Sequence, residues 1–200
     1  DLIAAARGPG SFTGIRIGIA TAQGMAQVLG IPALGLCSLD IISWAGWGRP
    51  GDIVVVLDAR KNEWYTARYR WLETGGGGAA AWRRETLEAP QAVAVGDLAA
   101  RLAARPGPVL LAGEGAERAE RELAAGPELA GVTVLTLPGA AGIARGDYAA
   151  REAALVWESA ASGPRPEDSG GAAAWWRIEP YYIRLPEAEV RRRAAATGRT

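Results

Sequence analysis

The sequence predicts an α/β fold in two lobes. Short apolar runs alternate with helical stretches along the chain, a pattern typical of strands joined by helices. A segment rich in glycine, residues 44–52, separates the first group of elements from the second and predicts a hinge. With 49% hydrophobic residues among 200, the chain has enough apolar material to bury a core.

The first lobe is predicted to span residues 1–46. Its elements are a strand at 2–6, a helix from Ser11 or Thr13 to about Leu29, a strand at 31–36 and a short helix from Ser38 to about Ala45. Gly30 and Pro32 predict where the long helix ends, because glycine accepts the left-handed conformation of a C-cap and proline does not continue a helix. Ser38 is a candidate N-cap for the short helix.

The second lobe is predicted to span residues 47–162. Its elements are a hairpin at 53–72, helices at 95–104, 116–125 and 140–161, and strands at 109–112 and 132–137. Residues 163–200 follow as a linker, a last extended segment at 179–185 and a tail.

Composition excludes several kinds of active site. The chain has no histidine, one cysteine (Cys37) and one lysine (Lys61), which excludes a Ser-His-Asp triad and a histidine-held metal. We therefore predict no catalytic residue, no metal site and no cofactor required by this chain. Lys plus Arg and Asp plus Glu are 22 each, so no net field directs the chain to nucleic acid or a membrane. A single cysteine and the lack of a membrane-spanning run predict a cytoplasmic protein.

Glycines surround the start of the long helix. Such a loop can aim several backbone N–H groups at an anion, but a strand-to-helix turn needs glycine for its backbone angles as well. The two interpretations are evenly matched. The candidate anion-adjacent residues here are Gly8, Gly10, Ser11, Thr13 and Gly14.

The long helix carries small residues at every fourth position. Gly14, Gly18, Ala22 and Ala26 form a stripe along which another backbone can approach closely. Apolar residues on more than one side of the helix predict that it is covered by its own sheet and by something else. The second cover is either upstream structure or a partner helix, and spacing alone does not choose between them.

The segment Arg7-Gly8-Pro9-Gly10-Ser11-Phe12-Thr13-Gly14-Ile15-Arg16-Ile17-Gly18 resembles the signature of the TsaB family, also called YeaZ. The resemblance continues at 22–24, 35–39, 57–60, 63–65, 113–115 and 179–184. It implies the actin/Hsp70/sugar-kinase-like fold, with two ribonuclease-H-like lobes. Because family members begin with further strands, it also implies that the first lobe is incomplete. Asp58 and Arg60 fall where such folds place a second phosphate hairpin, although turns carry Asp and Arg for solvation too.

The resemblance implies a non-catalytic partner subunit in the synthesis of threonylcarbamoyladenosine in tRNA. The expected partners are a TsaD-type catalytic subunit, a TsaE-type ATPase and a second copy of the chain, with tRNA contacted mainly through the complex. ATP or ADP is expected at the complex interface. The residues predicted to face the partner are Phe12, Ile15, Gly18, Ile19, Ala22, Gln23 and Ala26. The alternative function is an ATP-dependent phosphotransferase or ATPase of the same fold.

Overall fold

The computed structural model describes residues 1–49, 51–75, 82–126, 131–137, 146–160 and 178–183. The helices are α1 (Phe12–Leu29), α2 (Ser38–Ile42), α3 (Leu98–Ala103), α4 (Ala116–Ala124) and α5 (Gly146–Ala160). The strands are β1 (Ile3–Gly8), β2 (Ala33–Cys37), β3 (Asp52–Asp58), β4 (Glu63–Glu73), β5 (Trp82–Ala94), β6 (Gly107–Ala112) and β7 (Val132–Thr136). The predicted α/β class is confirmed.

The first sheet is a parallel pair, β1 and β2, connected by α1. The helix begins where predicted, since the Ser11 hydroxyl accepts a hydrogen bond from the Gly14 N–H at 3.3 Å. It ends at Gly30, whose φ of 66° is left-handed. Ile15, Ile19 and Ala22 pack against the sheet, so one face of α1 forms the core of this unit.

The second sheet has the strand order β5-β4-β3-β6-β7. β4 pairs antiparallel with both β3 and β5 in a meander, which confirms the predicted hairpin, whereas β6 pairs parallel with β3 and β7 parallel with β6. The central strand β3 is buried on both faces. Val55 and Leu57 belong to the cluster under α2, and Val54 and Val56 to the cluster under α3 and α4.

The segment between the sheets begins inside the core. Residues Ser43–Gly46 form a buried 3-10 helix, and Trp44 is 7% exposed against the face of the second sheet. The predicted hinge at 44–52 therefore starts too early, because Trp44 packs on Trp71 with ring centroids 4.5 Å apart.

Two other details differ from the sequence-based expectation. Cys37, and not Ser38, is the N-cap of α2, and it makes no side-chain capping bond. β5 is an additional strand that no periodicity predicted. The predicted helix at 140–161 is α5 over 146–160, and the rest of that prediction lies outside the described residues, as do the linker after it and the tail after residue 183.

Candidate functional site

The glycine loop, residues 8–14, joins the end of β1 to the start of α1. Gly8 has a φ of +113°, which favours glycine. A β-carbon at Gly8 would lie 2.7 Å from the carbonyl oxygen of Tyr181. Gly8 therefore allows the backbone at Tyr181 to lie close to the loop, and the close contact is made within the chain.

Residues 178–183, which we name the strap, cross the first sheet beside this loop. The Tyr181 N–H donates to the Arg7 carbonyl at 2.7 Å, and the Gln23 side-chain amide donates to the Ile178 carbonyl at 3.3 Å. A β-carbon at Gly35 would lie 2.6 Å from the Ile178 side chain. Ile178 is buried with Ile15 and Ile19, whereas Tyr181 packs on the core under α2. The strap thus connects both sheets.

Arginine and aromatic side chains meet where the strap passes α1. The Arg16 guanidinium lies 4.0 Å from the Phe12 ring centroid, and its Nε donates to the Tyr182 hydroxyl at 3.1 Å. Phe12 and Tyr182 are stacked, with centroids 5.9 Å apart. We name Phe12, Arg16 and Tyr182 the stacked triad. Phe12 stays 45% exposed, so the triad is a surface feature.

Beside the triad, Arg7 lies over the Tyr181 ring at 5.2 Å. Burial raises the pKa of the Tyr181 hydroxyl, while Arg7 acts in the opposite direction. Within the part of the chain that the structure describes, neither Arg7 nor Arg16 makes an ion pair. The loop is thus flanked by two uncompensated cations.

Asp58 and Arg60 lie in a separate turn after β3. One Asp58 carboxylate oxygen accepts from the Arg60 N–H at 2.7 Å, and the other lies 3.8 Å from Arg118. Three successive residues, Arg60 to Asn62, have positive φ between 51° and 61°. Asp58 thus stabilises its own tight turn. Across the described residues, no hydrogen bond or ion pair joins this turn to the glycine loop.

The seven residues predicted to face a partner lie on different sides of α1. Ile15, Ile19, Ala22 and Ala26 are at most 8% exposed, and the first three pack against the first sheet and the strap. The structure moves these four from the predicted partner face to the lobe's own core, because the buried stripe is the one that meets β1 and β2. Phe12 and Gly18 face outward, and Gln23 binds the strap.

The outward face of α1 carries large apolar side chains that are not among the seven residues predicted to face a partner. Ile17, Met25 and Val28 are 63%, 52% and 86% exposed. A β-carbon at Gly18 would meet nothing within 4 Å. A helix that exposes this much apolar surface is typical of an interface.

A buried polar network lies where α2, α5 and the second sheet meet. Arg84 binds both carboxylate oxygens of Glu152, at 2.6 and 2.9 Å, and Glu152 also accepts from the Trp44 indole at 2.7 Å. Tyr69 donates to Asp40 at 2.6 Å. Burial first, and then the Asp40 charge, raise the pKa of Tyr69 far above its usual value, so the hydroxyl stays a donor. Every charge here has a partner, which indicates a structural role.

Among the described residues, no group of three or more His, Cys, Asp or Glu side chains is arranged to hold a metal ion. No helix in the same residues is long and apolar enough to cross a membrane.

Comparison with known proteins identifies the family. The family model described as TsaD, tRNA N6-adenosine threonylcarbamoyltransferase, matches residues 1–105, over half of the 200 residues. Two similar proteins are named TsaB, for tRNA threonylcarbamoyladenosine biosynthesis. The one from Escherichia coli K12 is 39% identical over 91 residues, which is 44% of this chain. The one from Bacillus subtilis 168 is 39% identical over 69 residues, which is 34% of this chain. The chain belongs to this family, in its TsaB (YeaZ) group. The matches span 37% and 30% of those two relatives, and 19% of a 51% identical Mycobacterium leprae protein.

Solved structures show that the TsaB-family chain shares a fold with YeaZ. An uncharacterised Pseudomonas aeruginosa protein with similarity to peptidase YeaZ superposes with a TM-score of 0.63 at 24% identity, covering 92% of this chain and 74% of that one. Pseudomonas aeruginosa YeaZ superposes with a TM-score of 0.56 at 23% identity, covering 80% and 67%.

Sequence reasoning placed part of this TsaB-family site and missed part. Gly8, Ser11 and Phe12 lie in the glycine loop, and Gln23 binds the strap, so residues predicted for an anion site and residues predicted for a partner surface are neighbours here. The candidate site residues predicted from the sequence did not include Arg7, Arg16, Tyr181 or Tyr182. Both arginines stand inside the signature segment, and the two tyrosines are adjacent in sequence, but nothing local indicates that the two pairs meet.

Proposed function

We propose that the chain is a non-catalytic subunit that binds and supports a TsaD-type catalytic subunit in the synthesis of threonylcarbamoyladenosine in tRNA. The observation that carries the proposal is the outward apolar face of α1, formed by Ile17, Met25 and Val28. The helix begins within the signature segment and lies inside the region that the TsaD family model matches. A TsaD-type subunit is therefore the occupant we assign to this face.

The strand order supports the finer proposal for the fold. A meander β3-β4-β5 followed by parallel β6 and β7 is the arrangement expected for a ribonuclease-H-like lobe of the actin-like kind. The helices α3 and α4 cover one face of this sheet, while α2 and the 3-10 helix cover the other.

The glycine loop supports a structural role over the ATPase alternative. At Gly8, the loop lies against the backbone carbonyl of Tyr181. Asp58 accepts a hydrogen bond from the Arg60 N–H within its own turn. Cys37, the one cysteine of the chain, is unsuited to act as a peptidase nucleophile. Burial, and secondarily the Asp40 charge, raise the pKa of the Cys37 thiol to about 11, which keeps it protonated and unreactive near neutral pH. Nucleotide at the complex interface, a TsaE-type ATPase and a homodimer stay predictions.

The test is co-purification with a TsaD-type subunit, using Ile17→Asp and Val28→Asp. A carboxylate introduced into an apolar interface costs several kcal/mol of burial, so the Kd for the partner should rise by about tenfold or more. Leu135→Asp is the matched control, because Leu135 is 62% exposed on β7, away from α1.

Three outcomes are informative. Loss of binding in both α1 variants, with Leu135→Asp unchanged, supports the proposal. Unchanged partner binding with altered self-association by light scattering would assign the face to a second copy. Unchanged partner binding and unchanged self-association would contradict the use of this face.

A further inference from the structure

We propose that the stacked triad of Phe12, Arg16 and Tyr182 is a contact surface for an unpaired nucleotide of RNA. A base would stack on the exposed ring and guanidinium faces, and the adjoining phosphate would bind the arginine. The proposal deepens the proposed function in one respect, since that function makes tRNA the source of the RNA.

Phe12 is partly exposed, and its ring is held in place by Tyr182 and Arg16. Phe12 is 45% exposed, although it already stacks on Tyr182 at 5.9 Å and beneath Arg16 at 4.0 Å. Unpaired RNA bases stack on aromatic rings and on the planes of arginine side chains, with little dependence on sequence. A platform whose members support one another loses little side-chain freedom when a base arrives.

The charge of Arg16 is available too. Its Nε is taken by the Tyr182 hydroxyl, and the described residues give it no carboxylate. Five other described arginines are compensated: Arg68 and Arg70 bind Asp52, Arg84 binds Glu152, Arg101 binds Glu88 and Arg118 binds Glu122. The first turn of α1 contains no acidic residue. In a chain with zero formal net charge, this is a local positive site suited to a phosphate.

The triad is distinct from the apolar face assigned to the TsaD-type subunit. Phe12 and Arg16 are four residues apart and share one side of α1, whereas Ile17 follows Arg16 by one residue and points about 100° away around the helix. RNA and a protein partner therefore have separate surfaces on the same helix.

The experiment measures RNA binding by fluorescence anisotropy, for the chain alone and for its complex with a TsaD-type subunit. The probes are a labelled anticodon stem-loop and a labelled blunt duplex of the same length. Arg16→Ala and Phe12→Ala should each weaken stem-loop binding by about tenfold, since a stacked base contributes this order of affinity. Arg83→Ala, which removes an exposed arginine from β5, is the control and should change neither probe.

Salt and conservative variants separate the two contacts. Arg16→Ala should also lower the slope of log affinity against log salt by about one, because one phosphate contact is lost. Phe12→Tyr keeps the ring and should retain binding, and circular dichroism verifies that each variant is folded. Equal losses for duplex and stem-loop would overturn the stacking proposal, as would unchanged RNA affinity in both alanine variants. Reduced capture of the TsaD-type subunit with unchanged RNA affinity would show that the triad contacts protein, and the proposed function would survive.

Discussion

At the scale of single residues, the site depends on places where no side chain fits. Gly8 and Gly35 both lie against the strap, so a β-carbon at either position would press on its backbone or on Ile178. From the sequence, Gly8 suited a tight turn and an anion-binding loop equally well. The sequence did not predict what Gly8 approaches, because that contact joins distant parts of the chain.

Gly8→Ala should destabilise the fold and release the strap. The positive φ of Gly8 strains any other residue, and the new methyl group would meet the Tyr181 carbonyl, so we expect a loss of about 3 kcal/mol. Gly30→Ala is the matched control, with φ also positive but nothing within 4 Å of the added carbon. Urea unfolding should show the larger loss at Gly8, and hydrogen exchange should show faster exchange of the Tyr181 N–H. Equal losses at the two glycines would mean that backbone angle alone matters.

Cys37 should make the protein less stable in alkali. Its pKa is raised from 9.0 to about 11 by burial and then by Asp40, so the unfolded thiol ionises before the folded one does. The stability linked to this group is complete below pH 9.0 and is lost as the pH rises to about 11. The loss amounts to roughly 2 to 3 kcal/mol.

The measurement is urea unfolding across that pH range for the native chain and Cys37→Ala. The variant loses packing at every pH, but its free energy of unfolding should decline less steeply above pH 9.0. Ionisation of Tyr69 also lowers the free energy of unfolding at high pH, and it does so in both proteins. The contribution of Cys37 is therefore taken from the difference between the two proteins at each pH. Identical slopes would show that the thiol does not contribute.

At the scale of secondary structure, local pattern predicted most elements because their patterns are strong. α1 has a cap, a periodic apolar face and a C-terminal glycine, and β3 is a continuous β-branched run. No strand was predicted at β5, whose sequence contains Pro90 and several charged residues. It is an edge strand, with register shifts opposite 66–69 that accommodate the proline.

A larger side chain should have opposite effects on stability on the two faces of α1. Ala26 is fully buried, so Ala26→Leu overpacks the helix against its sheet and should cost about 1 to 3 kcal/mol. Gly18 faces open space, so Gly18→Ala should stabilise the helix by about 0.5 to 1 kcal/mol. Thermal or urea unfolding of both variants measures this. If Ala26→Leu keeps full stability and loses only partner binding, the stripe is an interface after all.

At the scale of the whole molecule, a few charged side chains hold α5, α2 and the second sheet together. Arg84 reaches from β5 to Glu152 on α5 and to the Asp40 carbonyl in α2. This arrangement could not be predicted, since its members are separated by tens of residues and each looks like an ordinary surface charge. Only the packing of the elements brings them together.

Glu152→Gln should be far more damaging than a typical surface change. It leaves the buried Arg84 guanidinium without its carboxylate, which costs about 3 to 5 kcal/mol when a buried pair is broken. Glu158→Gln on the exposed side of the same helix should stay within about 0.5 kcal/mol. The free energies of unfolding in urea measure both. A small loss for Glu152→Gln would show that the network is not a buried ion pair in solution.

The strap also bears on how the protein is made. Arg16 and Tyr182 are 166 residues apart, yet they touch beside the glycine loop. At the usual pace of translation, about 5 to 20 residues per second, α1 leaves the ribosome roughly ten to thirty seconds before the tyrosine that binds it. During that interval the nascent first sheet has an uncovered loop and an open apolar surface where Ile178 will lie. A ribosome-bound chain is therefore exposed to proteases and to premature association at this surface until residues 178–183 have been made.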